Sequence, residues 1–305
     1  MSAQLSAHLI PYKTLPEWGA ATIPAGFMRP HNTKAGTWAQ LQVLAGSLDF
    51  ALTTADGQVL ERFTFTPSQQ PPLIAPQQWH QILAASDDLR CQLHFMCAPE
   101  DYFSKKHALT RTHSELIEAY PRLHPRAQPP HALDVGCGRG RNSLYLALQG
   151  WQVDALELSD HALHTLAELA AQEGLQERLH PQQADLNLAA QRTLIDPQGA
   201  YALVVCTVVL MFLHPAAIAP LIAQMQAATA PGGCHLIVCA MDTPDYPCTQ
   251  PFPFTFKPGE LRAHYEGWEL LKYNENPGHL HKTDEQGQPI ALRFATLLAR
   301  KPGGD

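Results

Sequence analysis

The chain has 305 residues, of which 45% are hydrophobic and 16% charged, and its 21 Lys and Arg stand against 28 Asp and Glu, a formal net charge of −7. That composition is globular rather than disordered and long enough for two domains with a sizeable core, while its acidity argues against a large nucleic-acid footprint, which needs a basic face. Residues 1–10 lack the basic start of a secretory signal and no apolar run approaches the ~20 residues that span a bilayer, so a soluble cytoplasmic protein acting on a small-molecule substrate is expected, with no nucleic-acid or membrane partner.

Residues 1–98 read as all-β. Trp38-Ala-Gln-Leu-Gln-Val-Leu44 alternates apolar and polar, Gly46-Ser47 interrupts, and residues 48–52 resume the period of two. Asp56-Gly57 between two such runs is a strong hairpin signal. Residues 58–65 and 89–97 add strands, with Pro67 and Pro71-Pro72 as punctuation, and short strands at this spacing make a small sandwich or barrel. Pro76-Gln-Gln-Trp-His80 has a cupin-like look. A cupin metal site, however, needs a histidine pair, and His80 has no second histidine two residues on; His94 is its nearest alternative. His80 is therefore read as a satisfied strand-edge residue, and no metal is expected. The seven cysteines contain no C-x-x-C and read as small buried hydrophobes. The 16 histidines are scattered.

Residues 99–130 read as a helical linker or lid. Residues 101–106 and 114–120 have helical periodicity, with Ser114 as a candidate N-cap, and Pro121, Pro125, Pro129 and Pro130 stop any helix. Folded back, this segment would offer Tyr102, Arg111, Thr112 and His113 as walls of a neighbouring site.

From residue 131 to 305 strands and helices alternate. Strands are expected at 132–135, 151–157, 180–184, 201–207, 234–241, 268–275 and 290–300, with helices at 140–149, 160–173, 215–229 and 258–266. Such alternation gives a parallel sheet with right-handed crossovers, and the last two strands, with no helix between them, an antiparallel pair. This α/β pattern resembles the class I methyltransferase Rossmann-like seven-stranded sheet, here preceded by the small all-β domain.

The first strand runs into Asp134-Val-Gly-Cys-Gly-Arg-Gly140, with glycines at every second position. A loop that turns so sharply needs left-handed backbone and lets a ligand lie on bare peptide. A dinucleotide fingerprint would be G-x-G-x-x-G. Here the third glycine comes one residue early, and a carboxylate, Asp134, precedes the first. That suits a ligand with an ammonium group and no phosphate, such as S-adenosylmethionine. The next strand ends in Glu157, where a carboxylate accepts both ribose hydroxyls in doubly wound nucleotide folds. Ligands in such sheets sit beyond the carboxyl ends of the strands. The candidate cofactor residues are accordingly Asp134, Gly136, Cys137, Gly138 and Asn142 from the first loop, Glu157 and Leu158, Asp185 and Leu186, and Cys206 and Thr207. Asp185 would accept from the adenine amino group, or would simply cap a turn.

After the fourth strand, Thr207-Val-Val-Leu-Met-Phe-Leu-His214 lacks the Asn/Asp-Pro-Pro-Tyr/Phe that orients a planar amine. An acceptor needing no such help fits it: a thiolate, or a selenium or tellurium oxyanion. Asn276-Pro-Gly-His-Leu-His-Lys-Thr-Asp-Glu285 is expected to be the loop joining the last strands, with His279, His281 and Lys282 at the same sheet end. Arg293, between Leu292 and Phe294, must find a carboxylate or an anionic ligand if buried.

These motifs closely resemble the tellurite-resistance methyltransferase family, TehB. The resemblance is carried by Leu109-Thr-Arg-Thr-His-Ser-Glu115, the glycine loop through Leu146, Thr207-Val-Val-Leu-Met-Phe-Leu213, Ala240-Met-Asp-Thr-Pro-Asp-Tyr-Pro-Cys248, Tyr273-Asn-Glu275, Leu280-His-Lys-Thr-Asp284 and Arg293-Phe-Ala-Thr-Leu-Leu-Ala-Arg300. It covers about residues 100–301, and residues 1–98 look like the extra β domain of longer members. It implies an S-adenosylmethionine-dependent methyltransferase acting on tellurite or selenite, with Arg111, Glu157, Asp185 and the glycine loop lining the cofactor. His281 and the basic residue after it would face the acceptor, with Arg293 beside them. That basic residue is often Arg and is Lys282 here, which cannot give a bidentate grip. Two other readings fit the same residues: a methyltransferase of thiols or other small metabolites, and a ligand sensor that binds the cofactor without turnover.

Overall fold

The computed structural model describes residues 9–125, 127, 129–283 and 285–303, with His281 and Lys282 described by backbone alone. They divide into two units, Met1–Arg111 and Thr112–Asp305.

In the first unit six strands, β1 (Ile10–Thr14), β2 (Trp38–Ala45), β3 (Leu48–Thr53), β4 (Val59–Phe65), β5 (His80–Ala85) and β6 (Arg90–Cys97), form two antiparallel sheets, β1-β6-β2 and β4-β3-β5. The period of two turns Leu41 and Val43 of β2 inward, into one core with Leu93 of β6 and with Phe50, Phe65 and Ile82 from the other sheet. Each such burial contributes roughly 1.5–3 kcal/mol. The Asp56-Gly57 turn forms as expected. Thr53 pairs with Val59, Gly57 donates to the Thr54 carbonyl at 3.1 Å, and Gly57 takes φ +90°. Strands β1 and β5 are additions to the expected set. A short helix, α1 (Tyr102–His107), follows β6.

The second unit begins with α2 (Ser114–Ala119). Its N-cap is His113, whose Nδ1 accepts from the Glu115 N–H at 3.2 Å. Ser114, expected to cap, is instead the first helical residue. The backbone N–H of His113 is held by Asn142 Oδ1 at 3.1 Å, which fixes the helix start one residue early.

The sheet contains β7 (His131–Val135), β8 (Gln152–Glu157), β9 (Leu179–Gln183), β10 (Tyr201–Thr207), β11 (Thr229–Met241), β12 (Glu269–Thr283) and β13 (Pro289–Arg300). Their order is β12-β13-β11-β10-β7-β8-β9. The five strands from β7 to β11 are parallel, and β13 is antiparallel to both β11 and β12. Helix α3 (Arg141–Leu148) packs on β7 and β8, and α4 (Asp160–Gln172) on β8 and β9. Helix α5 (Pro215–Ala228) inserts Ile218, Leu221, Ile222 and Met225 into the core beside Val204 and Ile237.

Strand β11 starts at Thr229, ahead of the expected 234, and two further boundaries differ from expectation. The helix expected at 258–266 is the single turn α6 (Glu260–Ala263). Residues 276–283, expected as loop, continue β12 with Pro277 opposite Arg293, Gly278 opposite Leu292 and His279 opposite Ala291. Since Arg293 also pairs with Met241, the last residue of β11, the β12–β13 ribbon runs on past the carboxyl end of its neighbour.

All seven cysteines are free, six of them buried and Cys248 partly so. Burial pushes the Cys91 and Cys97 thiols up to about 12 and those of Cys137, Cys206 and Cys239 well up. Among the described residues no helix is long and apolar enough to cross a membrane, and no group of three or more His, Cys, Asp or Glu side chains is arranged to hold a metal ion.

Candidate active site

The three loop glycines all have left-handed backbone, φ +73° at Gly136, +54° at Gly138 and +86° at Gly140. Their surroundings differ. A Cβ at Gly136 would lie 2.5 Å from Val209 Cγ2, and one at Gly140 would lie 2.3 Å from Leu166 Cδ1, so these two seat the loop against its own fold. A Cβ at Gly138 would meet nothing within 4 Å. The middle glycine therefore faces open space, and the outer two let the loop pack closely enough to present it.

The loop is pinned from β8. The N–H groups of Gly136 and Cys137 donate to the Leu156 carbonyl at 2.8 and 2.9 Å. Glu157 then acts as a clasp, Oε2 accepting from Gly138 N–H at 3.0 Å and Oε1 from the N–H groups of Leu158 and Ser159 at 2.9 and 3.0 Å. A carboxylate has room for about four such bonds, so Glu157 keeps capacity for a ligand. Leu158 beside it is 56% exposed, unusual for a large apolar residue.

Asp134, the penultimate residue of β7, is 2% exposed. Ser143 Oγ donates to its Oδ2 at 2.5 Å. Burial raises its carboxyl to about 6, against the lowering pull of Ser143 and the Arg141 charge and with a further push up from Glu157. A buried carboxylate in that condition is stabilised by any cation placed next to it. Ser143 was not among the expected site residues, though its place in the first turn after the glycine loop was a usable signal.

The other loops are tied to these. Asn142 donates from Nδ2 to Thr207 Oγ1 at 3.1 Å and accepts from His113 N–H, joining α3 to the end of β10 and to the segment before α2. Thr112 Oγ1 donates to the Arg141 carbonyl at 3.4 Å. Cys137 and Cys206 are buried. Asp185 caps the 3-10 turn Leu186–Ala190, its Oδ1 accepting from Asn187 N–H and Nδ2 at 3.0 and 3.1 Å, with Leu186 buried beneath. Asn187 Oδ1 in turn accepts from His214 N–H at 2.8 Å, linking this loop to the one after β10.

In that last loop Val208 has φ +61°, a conformation a β-branched residue rarely adopts. Its N–H donates to the Val238 carbonyl at 2.7 Å, and the turn delivers Val209 onto Gly136. Leu210 and Met211 are fully buried, while Phe212 is 53% exposed and meets Phe252 edge-on at 5.2 Å. The loop thus presents apolar surface at the carboxyl edge of the sheet.

Arg293 lies in β13 at that same edge. Its Nη2 meets Asp245 Oδ2 at 2.6 Å, its Nη1 donates to the Glu275 carbonyl at 3.1 Å, and its guanidinium sits 5.8 Å over the Tyr246 ring. Its Nε is buried without a partner among the described residues, and Asp245 is 69% exposed along its side chain. His281 and Lys282 lie in the projecting part of β12; their side chains fall outside the described residues. Arg111 belongs to the first unit, where its Nε donates to Asp101. The structure thus brings together Asp134, the glycine loop, Asn142, Glu157, Asp185 and Thr207.

Comparison with known proteins identifies the family of both units. The family model described as "Tellurite resistance protein TehB" matches residues 95–298, and the "TehB-like domain" matches residues 13–93. A protein of Haemophilus influenzae (strain 10810) named "Probable S-adenosyl-L-methionine-dependent methyltransferase TehB" is 44% identical over 293 residues, 96% of this chain and 98% of its own length. The crystal structure of TehB from Haemophilus influenzae superposes with a TM-score of 0.89 at 43% identity, over 97% of this chain and 99% of that one. YeaR of Escherichia coli K12, named as uncharacterized, is 29% identical over 102 residues, 32% of this chain and 85% of its own. The chain belongs to the TehB family.

Proposed function

We propose that this member of the TehB family is a cytoplasmic S-adenosylmethionine-dependent methyltransferase whose acceptor is a small soft nucleophile, a tellurium or selenium oxyanion. The observation that carries the reading is the seat at Gly138, open above its backbone and held by the Glu157 carboxylate, in a loop that starts from the buried carboxylate of Asp134. S-adenosylmethionine carries an ammonium group, a ribose diol and a methyl on a sulfonium; the lone pair of an incoming nucleophile bonds to that methyl as the C–S bond breaks and its electron pair stays on sulfur, leaving S-adenosylhomocysteine. In this reading Asp134 faces the ammonium, Glu157 takes a ribose hydroxyl with its remaining acceptor site, and Asp185 and the Leu186 N–H receive the adenine edge. Cys137, Asn142, Leu158, Cys206 and Thr207 complete the walls.

The apolar residues 208–212 suit an acceptor that needs neither deprotonation nor an amine clamp. An anion loses charge as it meets the sulfonium, so a dry wall favours the step. The chain's remaining task is alignment, which can supply roughly 7–11 kcal/mol. Arg293, with His281 and Lys282 on the adjoining strand, supplies the positive charge that draws the anion in. The net charge of −7 supports a small anion held locally over a polyanion held broadly.

The test is turnover of methyl-labelled cofactor with tellurite, selenite and a panel of thiols. His281→Ala and Arg293→Ala should slow transfer to the oxyanions at least tenfold while S-adenosylhomocysteine binding stays within about threefold. Transfer to thiols alone would replace the oxyanion reading, and loss of cofactor affinity in either variant would remove that residue from the acceptor side.

A further inference from the structure

We propose that the amino-terminal unit holds a second, independent binding site, for a small uncharged ring-shaped molecule carrying one hydrogen-bond donor. Between its two sheets lies a cavity of about 120 Å³. Its walls are mostly apolar and aromatic: Phe27, Phe50 and Phe95 with Leu41, Ile74 and Ile82. An apolar core cavity of ~150 Å³ holds a benzene ring, so this smaller one limits its occupant to at most a single small ring, closely fitted.

Its polar groups are few and specific. His31 and His80 stand with ring centroids 4.2 Å apart. Each engages a backbone carbonyl through Nδ1, His31 that of Arg29 at 2.9 Å and His80 that of Gln78 at 2.8 Å. A carbonyl can only accept, so both Nδ1 atoms carry the proton and both Nε2 atoms keep a lone pair. Burial holds His80 neutral down to about 4. Trp18 also lines the cavity, and its Nε1 is a buried donor with no partner among the described residues. Buried polar atoms are normally satisfied, and a polar ligand would satisfy these. The cavity residues include no Asp, Glu, Lys or Arg, so a charged ligand would lose its hydration without gaining a counter-ion.

The occupant is therefore neutral and flat enough to lie among the phenylalanine rings, and donates a hydroxyl or N–H to an imidazole Nε2. This site lies wholly within the first unit, so its fate is separate from that of the methyl-transfer reading.

Phenol and benzene serve as probes, each titrated calorimetrically into the full-length protein, with near-ultraviolet circular dichroism and thermal unfolding as the control on folding and S-adenosylhomocysteine titrated in parallel to show that the second unit is unaffected. The expected result is one saturable phenol site per chain, with benzene at least tenfold weaker. His80→Leu should erase that preference while leaving S-adenosylhomocysteine binding unchanged. His31→Leu, at a less buried position, gives the same comparison should His80→Leu fail to fold. Absence of saturable phenol binding overturns the proposal, as does a phenol preference that survives in a folded variant of each histidine. Micromolar binding of Zn²⁺ or Ni²⁺ that either variant abolishes would overturn it as well, making the histidine pair a metal site.

Discussion

In the proposed reading Glu157 has two tasks with one carboxylate. It holds Gly138, Leu158 and Ser159 by their N–H groups and faces the space where a ribose would lie. Glu157→Ala leaves three donors without their partner and removes charge-assisted bonds worth on the order of 1.5–3 kcal/mol each. S-adenosylhomocysteine affinity should fall at least tenfold, about 1.4 kcal/mol, and unchanged calorimetric binding would remove Glu157 from the site. Asp134 makes the companion prediction in pH. Its carboxyl is raised by burial to about 6 from an ordinary 3.8, so between those values the folded apo protein binds the extra proton. Stability attributable to this group is full below the unfolded value and is lost as pH rises through about 6. An ammonium ligand reverses the balance, because it needs the carboxylate. S-adenosylhomocysteine should bind more tightly at pH 7.5 than at pH 5, and Asp134→Asn should flatten that dependence as well as weaken binding. A pH profile identical in the two proteins would assign the titration to another group.

Among the elements, the glycine loop separates packing from binding within three residues. Gly136→Ala drives a methyl into Val209 and adds left-handed strain of roughly 1–2 kcal/mol, so it should lower the melting temperature, with partial rescue by Val209→Ala. Gly138→Ala carries the strain alone and should remain folded, yet lose cofactor affinity because its methyl fills the open seat. If Gly138→Ala binds S-adenosylhomocysteine normally, the seat is elsewhere. This loop was legible in the sequence because its geometry demands glycine, and the βα alternation behind it was legible because period and length encode it. Other elements were hidden for identifiable reasons. Pro11 and the short apolar run around it argue against a strand, but β1 is an edge strand, where proline is tolerated. Strand β5, His-Gln-Ile-Leu-Ala-Ala, has no strong alternation and is fixed by its pairing with β3. Asn276-Pro-Gly278 reads as a turn, yet Pro277 again lies on an edge strand, and Gly278 is required because Phe294 approaches within 3.1 Å of where its Cβ would be. Nothing local announces Val208. Its left-handed backbone is imposed by the Val238 carbonyl on the neighbouring strand and by Val209 packing on Gly136.

For the molecule as a whole, the relevant question is how little of the chain sustains the chemistry. We expect a fragment from Ala98 onward, which keeps residues 98–111 of the first unit with the whole of the second, to fold and transfer methyl groups, since the second unit has its own core. A fragment from His131 loses more than a linker. It discards the Thr112 bond to the Arg141 carbonyl, the His113 bond to Asn142, and the ion pairs at 2.6 and 2.8 Å by which Glu115 and Glu118 of α2 hold Lys272 of β12. It should bind S-adenosylhomocysteine several-fold more weakly and melt at a lower temperature. A soluble but inactive Ala98 fragment, beside active full-length protein, would give the first unit a part in catalysis.

The disposition of the cysteines has a consequence for chemical durability. Oxidation and adduct formation proceed through an exposed thiolate, and here six of seven sulfurs are enclosed, with those at 91 and 97 pushed up to about 12. Selenium and tellurium oxyanions are themselves oxidants of thiols. A protein that handles them would work in contact with an agent able to damage it. In the folded state no more than one equivalent of thiol, at Cys248, should react quickly with a disulfide reagent such as Ellman's, against seven in denaturant. Activity should persist through preincubation with tellurite at concentrations that consume free glutathione. Fast modification of several sulfurs in the native protein would mean that the strands carrying them open far more often than their burial indicates.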